Sequence, residues 1–400
     1  MDDALLSRYA KLIVEVGTNV QPGQDVLIIA APESARLVRA VATQAYARGA
    51  RFVDPWYFDP QVKRIRALTA APETLEFVPP WVGSRLTRLG EGHGVRISIS
   101  PNAPPGLMNG VDPAKAGLDQ LPSVPQHLEV INAKTTNWCV VPWATPAWAT
   151  FVHPDLDEAA ALAALFEELV YVLRLDEADT EAAWSKRFAE LHTAGQKLDA
   201  LQLDALRFEG PGTDLTVGLL PTSHFAGDEP GATTIDGIVF HANIPTEEVF
   251  TTPDPERVEG VVAATKPLDL SGTVVDGLRI RFEGGRAVTI EADEGAEALR
   301  ARTAKDSGAA RLGEVALVDR EGRIGKTGTV FFNTLLDENA ASHIALGNAY
   351  ATAVGDEDRE RINKSGIHID FMIGGDDVAV TGLIRDGREV PVLQGGSWQI

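Results

Sequence analysis

The chain has 400 residues, of which 44% are apolar and 23% are charged, a composition that predicts about two globular domains and excludes a largely disordered chain. Its 36 basic and 57 acidic side chains give a formal charge of −21, which argues against nucleic acids and anionic membranes as partners. The single cysteine, Cys139, excludes an internal disulfide and any zinc site built on two or more thiolates.

The N-terminal segment shows no targeting signal. Residues 1–8 are acidic and lack the apolar stretch of a signal peptide, and no apolar run approaches the roughly 20 residues that a membrane helix needs. We therefore expect a cytoplasmic protein.

The first part of the chain alternates strand and helix patterns. Its predicted elements are a strand at 25–30, a helix at 33–48, and strands at 51–54, 95–100 and 138–141. The helix carries an apolar stripe at Leu37, Val41 and Ala45, and Gly49 fits its C-terminal cap. The first three elements form a βαβ unit, but without a G-x-G-x-x-G motif this unit does not indicate dinucleotide binding.

Two long helices, 154–175 and 181–201, separate this region from a strand-rich one. Strands are expected after residue 205, at 215–220, 237–240, 279–282 and 315–318. The fold class is therefore mixed α/β and α+β. We expect an N-terminal α/β domain at 1–185 and a mixed, strand-rich metal-binding domain at 186–400.

Three common catalytic motifs are absent. The segment Gly325-Lys326-Thr327 resembles the end of a phosphate-binding loop, but that loop needs a glycine where Arg320 stands, so a turn is the better interpretation. There is no G-x-S-x-G and no H-E-x-x-H, so the sequence supports neither the common serine-hydrolase elbow nor a helical zinc-protease motif.

The alternating pattern of 366–374 predicts a strand with a pair of candidate metal ligands. Residues two apart on a strand face the same side, so His368 and Asp370 project together. A polar strand face toward solvent is the alternative. The apolar surroundings favour a site, because a buried aspartate costs free energy unless it is paired or binds a cation.

The segment 337–350 predicts a helix entry followed by a helix. His343 and Tyr350 are seven residues apart, or two turns, so such a helix would place both on one face. Ordinary packing of the two side chains is the alternative. The polar residues 337–339 suit the first turn of the helix, which would then lie near the charged site.

Two further segments contribute carboxylates. Glu314 opens an apolar strand, although an exposed strand end would explain it equally well. Glu247 and Glu248 lie side by side in an extended segment bracketed by prolines. Neighbours in an extended chain point to opposite sides, so one could bind metal while the other handles a proton or an amine.

The charge of these candidates favours two ions over one. Glu248, Glu314 and Asp370 contribute −3 and two divalent cations +4, and a bridging hydroxide brings the sum of +1 to zero. One divalent cation would leave −1. Carboxylate and imidazole ligands without thiolate suit zinc, cobalt or manganese.

Several segments, in this order along the chain, resemble the aminopeptidase T / aminopeptidase S family of dinuclear metallo-aminopeptidases. They are 243–251, 313–318, 337–343 and 365–374, and the segments 9–12 and 210–215 are also similar. The resemblance spans nearly the whole chain. It implies an N-terminal α/β domain, a C-terminal domain with two metal ions, and a homodimer. It places the metal site on Glu248, Glu314, His343, Tyr350, His368 and Asp370.

We therefore expect hydrolysis of the N-terminal peptide bond of peptides with a free N-terminus, by a water that two divalent ions activate. Glu247 is the candidate general base, and Glu314 is a candidate bridge between the ions. Tyr350 would ligate a metal or donate a hydrogen bond to the oxyanion. The alternatives are another metallohydrolase, such as an amidase, on the same scaffold and a non-catalytic acidic protein with a structural metal.

Overall fold

The computed structural model describes residues 1–101, 103–119, 121–227 and 231–400. The α-helices are α1 Asp3–Lys11, α2 Ala35–Ala47, α3 Pro60–Thr69, α4 Pro80–Glu91, α5 Pro113–Leu118, α6 Gln126–Asn132, α7 Pro146–Val152, α8 Glu158–Val172, α9 Thr180–Ala200, α10 Ala296–Thr303, α11 Arg323–Thr327 and α12 Thr334–Asp337.

The strands are β1 Asp25–Ala30, β2 Phe52–Tyr57, β3 Val95–Ser100, β4 Asn137–Pro142, β5 Leu203–Gly210, β6 Thr213–Leu219, β7 Ala232–Thr233, β8 Val239–Phe240, β9 Glu248–Thr251, β10 Pro253–Ala263, β11 Leu268–Asp269, β12 Val274–Val275, β13 Arg279–Glu283, β14 Arg286–Glu291, β15 Leu312–Val318, β16 His343–Gly347, β17 His368–Met372, β18 Ala379–Ile384, β19 Glu389–Gln394 and β20 Ser397–Trp398.

The chain divides into two compact units. The first comprises Met1–Lys186 and Pro230–Thr246, and the second comprises Arg187–Glu229 and Glu247–Ile400. The boundary at 185/186 stays a prediction, and no pattern in the sequence indicates that a later segment groups with the first unit. Glu247 and Glu248 therefore begin the second stretch of the second unit.

The first unit is built on a parallel sheet in the order β2-β1-β3-β4. β1 pairs in parallel with β2 and with β3, which confirms the predicted βαβ unit. β1 is apolar from its second residue onward and buried along that stretch, as expected of a strand in a sheet that is covered on both faces.

Among the described residues, the second unit contains two large antiparallel sheets and the short antiparallel pair β11-β12. The larger has the order β14-β13-β10-β6-β5-β18-β19-β20, and the smaller has the order β17-β16-β15-β9. One apolar cluster joins them, with Phe208 and Val217 from the larger sheet and Val315, Ile344 and Phe371 from the smaller. Burying each such side chain stabilises the fold by about 1.5–3 kcal/mol. One face of the smaller sheet is therefore buried in this core. The predicted fold class, α/β followed by a strand-rich region, is confirmed.

The predicted helix over 337–350 is wrong. α12 ends at Asp337, a 3-10 turn covers Glu338–Ala340, and His343 opens strand β16. Tyr350 lies beyond the end of that strand and precedes another 3-10 turn. β16 is buried throughout and pairs with β15 on one side and β17 on the other. Pairing and packing between strands therefore override the seven-residue spacing, which fits one helix face but carries no information about partners.

Within the described part of the chain, no helix is long and apolar enough to cross a membrane.

Candidate metal centre

Each strand of the smaller sheet carries at least one predicted ligand. Glu248 lies on β9, Glu314 on β15, His343 on β16, and His368 and Asp370 on β17. In an antiparallel pair, directly opposed residues point to the same face of the sheet. The register of the four strands therefore shows whether these side chains converge.

Ala345 links two of the ligands through the register. It lies opposite Glu314 on one side and opposite Asp370 on the other, so both carboxylates project from the face that Ala345 shares. His343 is two residues from Ala345 and lies opposite Ala316, which is two residues from Glu314. His343 therefore projects from the same face.

The remaining two ligands continue this alternation. His368 lies opposite Gly347, which is two residues beyond Ala345 on β16. Glu248 lies opposite Val318, which is two residues beyond Ala316 on β15. The predicted ligands other than Tyr350 thus project from one face of one sheet.

Small residues keep this face accessible to the ligands. Ala316, Ala345 and Gly347 occupy positions between the ligands, where larger side chains would fill the space above the sheet. The opposite face carries apolar side chains of the core cluster, including Val249, Leu317, Leu346 and Ile369. Alternation along the strands therefore separates the core from the candidate site.

The ligand atoms form two groups that share Glu314, and within each group they lie within 4.8 Å of one another. In the first group, His343 Nε2 lies 3.0 Å from Glu248 Oε2 and 3.5 Å from Glu314 Oε1. In the second, His368 Nε2 lies 3.3 Å from Asp370 Oδ1 and 3.6 Å from Glu314 Oε2. The two oxygens of Glu314 thus face different histidines, as in a bridging carboxylate.

Backbone carbonyls orient both imidazoles. His368 Nδ1 lies 2.7 Å from the carbonyl oxygen of Asn348, and His343 Nδ1 lies 3.3 Å from that of Ala341. Because a carbonyl oxygen only accepts, each Nδ1 carries the hydrogen when the ring is neutral, and each Nε2 offers its lone pair to the carboxylate cluster. This is the tautomer that a metal ligand requires.

A buried oxygen supports the fit of a cation. Glu248 Oε2 is buried and accepts no hydrogen bond from the described residues, although it lies 3.0 Å from His343 Nε2. With neutral imidazole, two lone pairs would face each other across that distance. A divalent cation between them would satisfy both, and a donor set of carboxylates and imidazoles fits zinc, cobalt or manganese.

The charges of the cluster also favour bound cations. Burial raises the pKa of Glu314, against the opposing effect of the two histidines. Burial by itself would lower the pKa of His368, but the carboxylates of Asp370 and Glu314 outweigh it and raise that pKa to about 10. The site therefore holds an excess of negative charge at short range, which bound cations would neutralise.

Glu338 is buried and its charge acts on the cluster, although it is not among the ligands that the sequence predicts. Burial raises its pKa well above the ordinary value, and the charges of Asp370, Glu248 and Glu314 raise it further. It lies in the 3-10 turn after α12. The segment 337–339 was interpreted as the start of a helix, so its acidic residues were assigned to capping. Its neighbours Asp337 and Asn339 are also polar, so no local pattern in the sequence distinguishes Glu338 from a capping residue.

Tyr350 lies beside the cluster. Its ring centroid is 4.9 Å from that of His368 and 6.2 Å from that of Phe250, and the Thr252 hydroxyl donates to its backbone carbonyl at 2.7 Å. Burial raises the pKa of its phenol well above 10, and the charge of Glu314 adds to this effect. The phenol therefore keeps its proton and can donate a hydrogen bond.

The side chain of Glu247 has different partners from that of Glu248. Its Oε2 lies 2.5 Å from Nε of Arg187, and its Oε1 accepts a hydrogen bond from the backbone N–H of Arg323 at 3.2 Å. It belongs to neither group of ligand atoms that the described residues form. The expectation that the two glutamates diverge agrees with these contacts.

Comparisons with known proteins find chains of similar sequence and fold. The model of the thermophilic metalloprotease (M29) family matches residues 2–398. The chain is 42% identical to aminopeptidase T of Thermus aquaticus over 99% of this chain and 98% of that protein. It is 37% identical to aminopeptidase 2 of Geobacillus stearothermophilus over 98% and 97%, respectively. The solved structure of wild-type AmpT from Thermus thermophilus matches with a TM-score of 0.88 and 40% identity, covering 99% of each chain.

These similarities extend over the whole length of the relatives and include the fold. They confirm the resemblance inferred from the short motifs and the assignment of the chain as a metal-dependent aminopeptidase. The chain belongs to the thermophilic metalloprotease (M29) family.

Proposed function

We propose that the chain hydrolyses the N-terminal peptide bond of peptides with a free N-terminus at a centre of two divalent ions. The observation that supports two ions is the position of Glu314, whose two oxygens serve two different groups of ligand atoms. A site for a single ion would need only one of those groups.

The chain offers a complete set of ligands for such a pair. Glu248, His343 and Glu314 would hold one ion, and Glu314, His368 and Asp370 the other. Bound ions would lower the pKa of a bridging water, polarise the scissile carbonyl and hold the α-amine.

Glu338 would add a fourth carboxylate to those of Glu248, Glu314 and Asp370. We propose that it supplies a further carboxylate ligand, because it is buried in a turn whose next residue, Asn339, accepts a hydrogen bond from the backbone N–H of Glu247, beside Glu248. The four carboxylates then carry −4, which two divalent ions balance before any hydroxide binds. Zinc, cobalt and manganese all suit these ligands.

Tyr350 is our candidate for a hydrogen-bond donor to the substrate. Its neutral phenol lies against His368 at the edge of the ligand cluster. We assign it the donation of a hydrogen bond to the oxyanion that forms as water attacks the carbonyl, where a fixed donor is worth most. Ligation of a metal by its oxygen is the alternative role.

The assignment of Glu247 as the general base stays a prediction. One oxygen of its carboxylate lies 2.5 Å from Nε of Arg187, and the other accepts a hydrogen bond from the Arg323 amide, so both oxygens already have partners. A role in holding Glu248 in place fits these contacts better and is developed below.

The proposal is tested by replacing His343 or Asp370 with alanine and assaying aminoacyl-p-nitroanilides with added Co²⁺ or Zn²⁺. We expect both variants to lose most of their turnover, and unchanged turnover would overturn the site assignment. The wild type should cleave a free peptide and not its N-acetylated form. Equal cleavage of both would favour the amidase alternative, and tight binding of one metal without peptidase activity would favour a structural site.

Two expectations extend beyond the site. The homodimer that the family resemblance implies and the cytoplasmic location that the N-terminus suggests remain predictions. Sedimentation of the purified chain would test the dimer, and fractionation of the source cells would test the location.

A further inference from the structure

Glu247 is held from three directions. Its backbone N–H donates to Oδ1 of Asn339 at 2.6 Å, its Oε1 accepts from the amide of Arg323 at 3.2 Å, and its Oε2 lies 2.5 Å from Nε of Arg187. Its side chain is fully buried. A residue fixed at both backbone and side chain has little rotational freedom, so it also fixes the direction in which the next residue, Glu248, leaves the chain.

Asn339 joins two segments that carry carboxylates of the site. It immediately follows Glu338 and is fully buried. While its Oδ1 accepts from Glu247, its Nδ2 donates to the carbonyl oxygen of Leu335 at 2.9 Å. One amide side chain thus ties the turn that bears Glu338 to the strand end that bears Glu248.

Arg187 supplies the charge that this arrangement needs. It lies on α9, and besides the ion pair its Nη2 donates to the backbone carbonyl of Glu247 at 3.5 Å. A buried carboxylate is strongly destabilising when its cationic partner is removed. Arg187 therefore gives the buried carboxylate of Glu247 a cationic partner immediately before the start of β9.

We propose that Arg187 and Asn339, acting through Glu247, are positioning residues of the metal centre. They set the place of Glu248 relative to Glu338 and thereby the affinity and geometry of the first ion. This inference rests on the proposed two-metal function, and it gives Glu247 an anchoring role instead of the role of general base.

The test measures metal binding by the full-length protein, apart from its activity. Arg187→Gln and Asn339→Ala are each expected to weaken Co²⁺ binding by roughly 10–100-fold, the usual effect of changes beside metal ligands. Competition with a chromophoric chelator gives the affinity. The visible absorption of bound Co²⁺ reports ligand geometry, and we expect its bands to shift in both variants. Near-UV circular dichroism establishes that each variant is folded.

Rescue variants separate positioning from general damage. Arg187→Lys keeps the charge and should recover part of the affinity. The double variant Arg187→Gln/Glu247→Gln replaces the ion pair with two neutral amides, and we expect it to bind Co²⁺ more tightly than Arg187→Gln alone. Arg66→Gln is the matched control, because Arg66 lies 3.2 Å from buried Asp119 in the first unit. It should leave Co²⁺ affinity and absorption unchanged.

Three outcomes distinguish the hypotheses. Fewer than two ions on the wild type would contradict the two-metal function itself, and with it the premise of this inference. Two ions on the wild type, with unchanged affinity and absorption in folded Arg187→Gln and Asn339→Ala, would overturn the positioning role alone. If Glu247→Gln lowered kcat with Co²⁺ affinity and absorption unchanged, and the double variant recovered nothing, Glu247 would be the general base and the anchoring role would be wrong.

Discussion

Oε2 of Glu248 lies 3.0 Å from Nε2 of His343, although the strands that carry them are separated by β15. Two strands that flank a third are roughly 10 Å apart, twice the spacing of neighbours. Both side chains project from the same face of the sheet, and on the intervening strand Ala316 lies opposite His343 while Val318 lies opposite Glu248. The first three predictions below depend on this convergence and on the groups around it, and the fourth concerns a buried carboxyl elsewhere in the second unit.

Glu314→Gln should disrupt both halves of the centre. Its oxygens serve two groups of ligands, so the variant should retain less than one ion per chain, whereas Asp370→Asn should retain about one. We expect kcat to fall at least about 100-fold. Elemental analysis after gel filtration, followed by a peptidase assay, measures both effects.

The control for this substitution is Glu360→Gln, which makes the same chemical change at an exposed ion pair with Lys364. It should retain wild-type metal content and activity. Two ions on Glu314→Gln would rule out a shared carboxylate.

Tyr350→Phe should lower kcat and leave metal content unchanged. The phenyl ring keeps the packing against His368 and Phe250, and only the hydrogen-bond donor is lost. Removing one oxyanion donor costs about 10²–10³ in kcat, with little change in KM. Steady-state kinetics with metal analysis tests this, and Tyr57→Phe is the control at an exposed tyrosine. Loss of an ion from Tyr350→Phe would show instead that the phenol oxygen is a ligand.

Removing the ions should destabilise the fold. Glu248, Glu314, Glu338 and Asp370 then repel one another within a buried cluster. Rebinding stabilises the native state by mass action, by about 4 kcal/mol when the free ion is at 1,000 times its Kd. Thermal unfolding of chelator-treated protein, with and without added Zn²⁺, measures the effect. A metal-dependent rise in Tm that persisted in Glu314→Gln would place the stabilising ion elsewhere.

Asp269 should make the fold less stable as pH rises. Burial raises its pKa to about 7, against the opposing effects of the Gly272 amide and Arg302. Between the unfolded value of about 3.9 and 7, the unfolded chain loses a proton that the native state keeps, so this group lowers the free energy of unfolding. The stability of the wild type relative to Asp269→Asn should therefore fall across this window, as followed by urea unfolding.

Asp293 provides the contrasting control. Its ion pair with Arg279 lowers its pKa, so its contribution to stability should appear as pH rises, opposite in sign to that of Asp269. A difference between wild type and Asp269→Asn that stayed constant across the window would contradict the raised pKa.

Local patterns in the sequence were enough to predict several features of the fold and the site. Alternation alone predicted the strand that carries His368 and Asp370, because side chains on a strand repeat every two residues whatever their partner. The periodic segments that became α8 and α9 were predicted for a similar reason. The short motifs were enough to identify the family, because several motifs in the right order are not expected by chance.

Features that depend on pairing between distant segments needed the tertiary structure. His343 was expected on a helix and lies on a strand, because its conformation is decided by β15 and β17 and not by its own neighbours. The sharing of Glu314 depends on a register that no local pattern encodes. Glu338 enters the cluster only through the turn after α12, and Glu247 is turned toward Arg187, 60 residues away along the chain. Local patterns and motifs thus predicted the candidate ligands, and the long-range register decided how their side chains meet.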